Sequence, residues 1–250
     1  MSKPERGSKK HILDLLNAKP DGVKYLNKFL EQWGANITDN DKQQPNKGDP
    51  KEVLLSTFCQ DTEIGEWWVE GRGKKPTWDL LSTFNFGGRK EKGILLVEAK
   101  AHEKEFEWKG KKLSPTANVE QENNHKTIKK HLNEANQALN KLRYGSFGLS
   151  VSSHYQLSNR VAHLWKLSTY GMPVILLYLG FTGDKSINPS YFRDDEHWQR
   201  ALGGYLQGVI PHLFLNEWHT IKNKKGSPEE ANSGRMLMIS KSISVSLESK

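Results

Sequence analysis

The chain has 250 residues, of which 35% are hydrophobic and 26% charged, with a formal net charge of +8 and a single cysteine. This length suits one generous domain or a domain with appendages, and the composition is too apolar and aromatic for a chain disordered throughout. The lone Cys59 excludes an intramolecular disulfide framework and any cysteine-rich zinc site, while the positive charge favours polyanionic partners such as nucleic acid.

Residues 1–10 are polar and charged with no apolar core, so no secretory signal is expected. The longest apolar run, residues 172–181, is too short to span a bilayer. The expectation is a soluble, cytoplasmic protein with no membrane partner.

Apolar residues recur at helical spacing over 11–16 and 23–33, with Pro20-Asp21-Gly22 as a turn between them. Two packed helices are predicted. Residues 36–50 are rich in Asn, Asp, Gln, Lys, Gly and Pro and read as a loop. Residues 1–48 therefore form a predicted N-terminal helical extension with a polar linker, and 49–250 the main domain. A short helix is predicted over 51–58. Cys59 ends its apolar stretch, where a buried structural thiol is the common outcome.

Three strands are predicted next, over 66–71, 77–86 and 93–101. Ile94-Leu95-Leu96-Val97 is an unbroken apolar run, which suits a central strand covered on both faces. The glycine-bounded polar segment 87–93 makes the last two a hairpin. Residues 103–112 read as a charged, exposed extension. Long amphipathic helices are predicted over 118–143 and 154–170, a buried strand over 172–181, a helix over 198–208, and an alternating strand over 235–247. This order gives an α/β fold, with a mixed β-sheet flanked by helices.

The chemistry concentrates at Thr77-Trp78-Asp79 and Val97-Glu98-Ala99-Lys100. Strand residues two apart share a face, so Glu98 and Lys100 project together from the end of the apolar strand. Asp79 lies on the neighbouring hairpin strand and can reach the same spot. Two carboxylates and a lysine at the edge of a core are costly to bury without a partner or a task. Carboxylates can hold Mg²⁺, which keeps several of its own waters, and a lysine beside it can orient the attacking water. The plainer alternative is an ion pair at a strand end.

Asp79, the apolar strand and Glu98-x-Lys100 resemble the PD-(D/E)xK, or restriction-endonuclease-like, nuclease superfamily. The resemblance spans about residues 50–182 and implies a restriction-endonuclease-like core. It also implies Mg²⁺ (or Mn²⁺) as cofactor and nucleic acid as substrate, DNA ahead of RNA. By this likeness Asp79, Glu98 and Lys100 are catalytic, and the backbone carbonyl of Ala99 joins Asp79 and Glu98 in the metal shell. Glu52 is the best match for an additional acid, with Glu63 and Glu66 as rivals. Gln156 to Arg160 is similar to a Gln-x-x-x-Tyr helix motif, with Arg in place of Tyr, and would support the site or touch nucleic-acid backbone. Arg72, Lys74 and Lys75 lead into Asp79 and are placed to meet substrate. The proline expected before the aspartate is replaced by Trp78, and the distance from Glu98 to Gln156 implies an insertion around 102–120.

Lys109, Lys111 and Lys112, then Lys126, Lys129 and Lys130, then Lys222, Lys224 and Lys225 form basic groups that either track phosphates or face solvent. No His-Glu-x-x-His spacing occurs, so His102 and His125 read as non-ligands. Two other readings remain at this point. One is a non-catalytic nucleic-acid-binding module on the same fold, and the other is a protein-interaction subunit. The oligomeric state is open, with a dimer among the options.

Overall fold

The computed structural model describes residues 7–17, 21–37, 42–43, 53–54, 67–68, 76–87, 91–187, 189–221 and 233–245. Two helices, α1 (Ser8–Asn17) and α2 (Asp21–Leu30), open the chain. Short strands β1 (Ala35–Asn36), β2 (Lys42–Gln43), β3 (Val53–Leu54) and β4 (Thr77–Trp78) precede the long hairpin of β5 (Leu80–Phe86) and β6 (Glu91–Lys100). Then come α3 (Val119–Leu139), α4 (Tyr155–Ser168), β7 (Pro173–Thr182), α5 (Asp195–Leu206), β8 (His219–Ile221) and β9 (Gly234–Ser244). The protein is α/β.

The main sheet is mixed and runs β1-β5-β6-β7-β9-β8, with β2 also on β5. β6, β7 and β9 are parallel, and β5 and β8 are antiparallel to their neighbours. Parallel strands need crossovers, and α3 with α4 supplies the one from β6 to β7, as α5 does from β7 to β9. All ten residues of β7 are buried, as a strand covered on both faces requires.

Alternation along the strands divides the interior into two cores. Ile94 and Leu96 of β6, Val174, Leu176 and Tyr178 of β7, and Met236 and Met238 of β9 face α3, α4 and α5. Leu95, Val97, Ala99, Ile175, Leu177, Leu179, Leu237 and Ile239 face the other way, onto Ile12, Leu15, Leu16, Leu26 and Leu30 of α1 and α2. The two N-terminal helices thus cover the second face of the sheet, and that core is shared between residues on both sides of position 48. His11 of α1 fastens this layer, pairing with Asp184 after β7 at 2.7 Å. Bonds from Ser186 and His11 outweigh burial and hold the Asp184 carboxyl below the usual carboxylate range.

Several local expectations change. Residues 53 and 54 do not belong to a helix; they pair as a strand with Trp78 and Thr77, and the rest of 51–58 lies outside the described residues. Trp67 and Trp68 form a bend rather than a strand, and Trp68 is buried against His163 and Tyr155 of α4. Within the expected loop 36–50, Asn36 and residues 42–43 add to the edge of β5. The predicted single strand 77–86 is broken at Asp79. The segment after β6 is not a simple exposed extension, because Phe106 is buried against Trp198 and Tyr205 of α5. Residues 236–240 of β9 are buried on both faces, so the serine alternation describes only its far end. Among the described residues no helix is long and apolar enough to cross a membrane.

Gly180 of β7 stands opposite Lys100 of β6 in the parallel register. A Cβ there would lie 2.4 Å from the indole of Trp198, which is fully buried and donates to Ser240 Oγ on β9 at 2.9 Å. The missing side chain is what lets α5 lie flat on the strand ends. Gly180→Ala overpacks this contact, and a loss of about 1–3 kcal/mol is expected in urea unfolding; unchanged stability would show that the helix yields instead.

Candidate active site

β6 is apolar from Gly93 to Val97 and then, still buried, turns polar at Glu98 and Lys100. Their even positions place both on the face that carries α3, α4 and α5. β5 ends one residue short of this point, since Leu80 pairs with Val97 and the chain bends at Asp79. Asp79 lies where the chain leaves the small β3–β4 sheet and enters the main one. Its side chain takes the position that a further β5 residue would fill: Oδ2 accepts the backbone N–H of Ala99 at 2.7 Å. In an extended strand the N–H and C=O of one residue leave by the same edge, so the Ala99 carbonyl also faces the Asp79 side.

Glu98 is 1% exposed and Lys100 5% exposed, burial that an unpaired charge would not survive. The Lys100 ammonium donates to Glu98 Oε1. Arg160, from the second turn of α4, donates from Nε to Glu98 Oε2 at 2.7 Å and from Nη2 to the carbonyl of Thr77 at 2.7 Å. Its guanidinium also lies 4.4 Å above the ring of Trp78. One arginine thereby joins α4, β6 and β4.

The two carboxyls are driven apart in acidity. Burial raises Glu98, but Arg160 and Lys100 outweigh it and hold the carboxyl below its usual range. Asp79 is pushed up to about 7, first by burial and then by the Glu98 charge, against weaker lowering from Lys100, the Ala99 amide and Arg160.

The structure brings Asp79, Glu98, Lys100, the Ala99 backbone and Arg160 together. Gln156 lies one turn before Arg160, and its Oε1 is buried with no hydrogen-bond partner among the described residues. Glu52, Glu63, Glu66, Arg72, Lys74 and Lys75 lie outside the described residues. His102 stands 3.8 Å from Glu105 instead of turning to the carboxylates.

Two participants were not foreseen from the sequence. Trp78 is the platform under Arg160, and its place beside Asp79 was the available signal. Tyr178 pairs with Glu98 in register and is fully buried, with no partner for its hydroxyl among the described residues. It was visible as the one polar-tipped side chain inside the run 172–181. Burial pushes the Tyr178 phenol far up, so it stays protonated and can only act as a neutral donor or acceptor.

The donor set suits a hard divalent cation of small demands. Among the described residues no three His, Cys, Asp or Glu side chains converge, so there is no closed cage. Mg²⁺ needs only one or two carboxylates alongside its waters and substrate oxygens. Burial is the first cause of the raised Asp79 carboxyl and the Glu98 charge the second, and a cation held between the two acids would lower it again. No family model, curated protein or solved structure matches the chain.

In chelator, the Asp79 shift makes stability depend on pH. The folded carboxyl binds its proton more tightly than the unfolded one, whose value is near 3.8. Its contribution is therefore full below about pH 4 and disappears as pH rises through about 7. Thermal unfolding across that window should show a decline that Asp79→Asn abolishes; equal slopes in both proteins would contradict the assignment. Arg160→Ala removes one of two cations from buried Glu98, with an expected cost of about 3 kcal/mol in denaturant unfolding. A cost near zero would mean that Lys100 alone suffices.

Proposed function

We propose that the chain is a metal-dependent nuclease that hydrolyses phosphodiester bonds, with DNA preferred over RNA, on a restriction-endonuclease-like core of the PD-(D/E)xK type. The observation that carries this reading is the meeting of Asp79 with the Glu98-Ala99-Lys100 backbone and side chains at one strand end. Asp79, Glu98 and the Ala99 carbonyl would hold Mg²⁺ or Mn²⁺. Bound there, the ion would lower the pKa of a coordinated water and offset charge on the phosphate.

The remaining work belongs to the chain itself. Lys100 offers ammonium protons that orient the water and meet charge developing on the phosphate. Arg160 keeps Glu98 ionised and fixed, so the carboxylate is ready for a cation rather than for a proton. Trp78 and the Thr77 carbonyl fix Arg160 in turn. The net charge of +8 supports a polyanionic substrate.

One observation favours a second reading. Both oxygens of Glu98 are engaged, by Lys100 and Arg160, and such a balanced group can persist as a structural ion cluster. The chain would then be a non-catalytic nucleic-acid-binding module.

Cleavage of labelled single- and double-stranded DNA and of RNA, with Mg²⁺, with Mn²⁺ and with chelator, separates the two. The nuclease reading expects metal-dependent cutting that falls by about 10²-fold or more in Lys100→Ala and Glu98→Gln. Salt-sensitive binding with no cutting under either metal would instead establish the binding module.

A further inference from the structure

Where β6 ends, the chain turns through residues 103–108 and forms one wall of a pocket of about 670 Å³, with α5 as the other wall. Glu103 follows Lys100 by three residues. The pocket therefore begins no more than about 11 Å along the chain from the catalytic strand. It lies on the same sheet face as Glu98. Tyr205 of α5 feels the Glu98 carboxylate, and its ring stands edge-on to Trp108 at 5.4 Å.

The lining has a definite chemistry. Phe106 forms a buried floor, and Trp108 is 51% exposed at the rim. Lys104 and Arg200 add two exposed cations, Arg200 standing 3.4 Å from exposed Glu196 one turn back on α5, a surface pair that water and salt screen. Glu103 is engaged by His197 at 2.6 Å, which ties the two walls together and offsets the acid. Gly204 also lines the pocket, although it sits inside α5, where glycine is a poor residue. A Cβ at Gly204 would meet nothing within 4 Å, so no packing contact demands the glycine, and a side chain there would project into the opening.

We propose that this pocket is a subsite for one unstacked nucleotide flanking the scissile phosphate, with its base on Trp108 and its phosphate met by Lys104 and Arg200. The assignment of the neighbouring phosphate as scissile rests on the nuclease reading; the nucleotide chemistry of the pocket does not. An exposed indole offers every base a stacking face, and two cations beside it track the backbone without reading sequence. The natural occupant is a single-stranded or locally opened stretch, because a base paired inside a duplex cannot present its face.

The test measures binding of a labelled oligothymidylate of about twelve nucleotides, and of a duplex of equal length, to the full chain in chelator at low salt. Trp108→Ala should weaken single-strand binding about tenfold and duplex binding much less. Lys104→Ala with Arg200→Ala should reduce the salt dependence, by about 0.7 in log–log slope for each phosphate no longer neutralised. Gly204→Leu should also weaken binding about tenfold while leaving the melting temperature equal or higher, which separates blocking from unfolding. Arg143→Ala is the control, since Arg143 pairs with Glu217 beside β8, at the opposite end of the sheet from Lys100.

Parental affinity in both Trp108→Ala and Gly204→Leu overturns the subsite and leaves the surface to a protein partner. So does a chain that binds no oligonucleotide at low salt. A chain that shows Trp108-dependent binding yet never cuts with metal keeps the subsite and loses the hydrolase. One that cuts while Trp108→Ala and Gly204→Leu both bind like the parent loses the subsite alone.

Discussion

Everything near the strand ends depends on one constraint, the ionised Glu98 carboxylate inside a core. A carboxylate that is 1% exposed must be matched by opposite charge or lose its own. Lys100 supplies one partner from the same strand face, and Arg160 supplies the other from α4. The arginine then donates from Nη2 to the Thr77 carbonyl, and its guanidinium plane lies over Trp78. Arg160 thus ties α4 and β4 to that single buried charge.

The sheet can hold such a charge because it is covered twice. α1 and α2 seal the face of Ala99 and Val97, so β6 is dry on the side away from the site. On the other face the packing changes character along the strand. Ile94 and Leu96 meet the helices as apolar side chains, and two residues further on the same ladder presents Glu98 and Lys100. Gly180 removes a side chain opposite Lys100 so that Trp198 can close the neighbouring strand. A low-dielectric surround strengthens each charge interaction, and for the same reason Asp79, which has no ion pair of its own among the described residues, holds its proton up to about 7.

Much of the architecture was legible in the sequence. The unbroken runs 94–97 and 172–181 read as central strands, and their burial on both faces is why no alternation appears in them. The helices 118–143 and 154–170 were visible from spacing, and the Asn118 capping box with Gln121 fixes the start of α3. Short edge elements were not visible. Residues 42–43 and 53–54 are held by pairing to distant strands, and a two-residue strand has no period of its own to read. Residues 51–58 follow Asp49-Pro50, a helix-start signal, yet at Val53 and Leu54 the long-range pairing with β4 prevailed over that local preference.

The candidate site divides in the same way. The sequence by itself determined that Glu98 and Lys100 share a face, because a strand alternates with period two whatever surrounds it. It also determined that the face is polar only at the end of an apolar strand. Tertiary structure alone decided that Asp79 caps the Ala99 amide, that Arg160 from 62 residues further along the chain is the second partner of Glu98, and that Tyr178 stands beside it. Those contacts join segments with no fixed spacing between them. Only the folded sheet, with its register of β5 on β6 and β6 on β7, sets the distances at which their charges act.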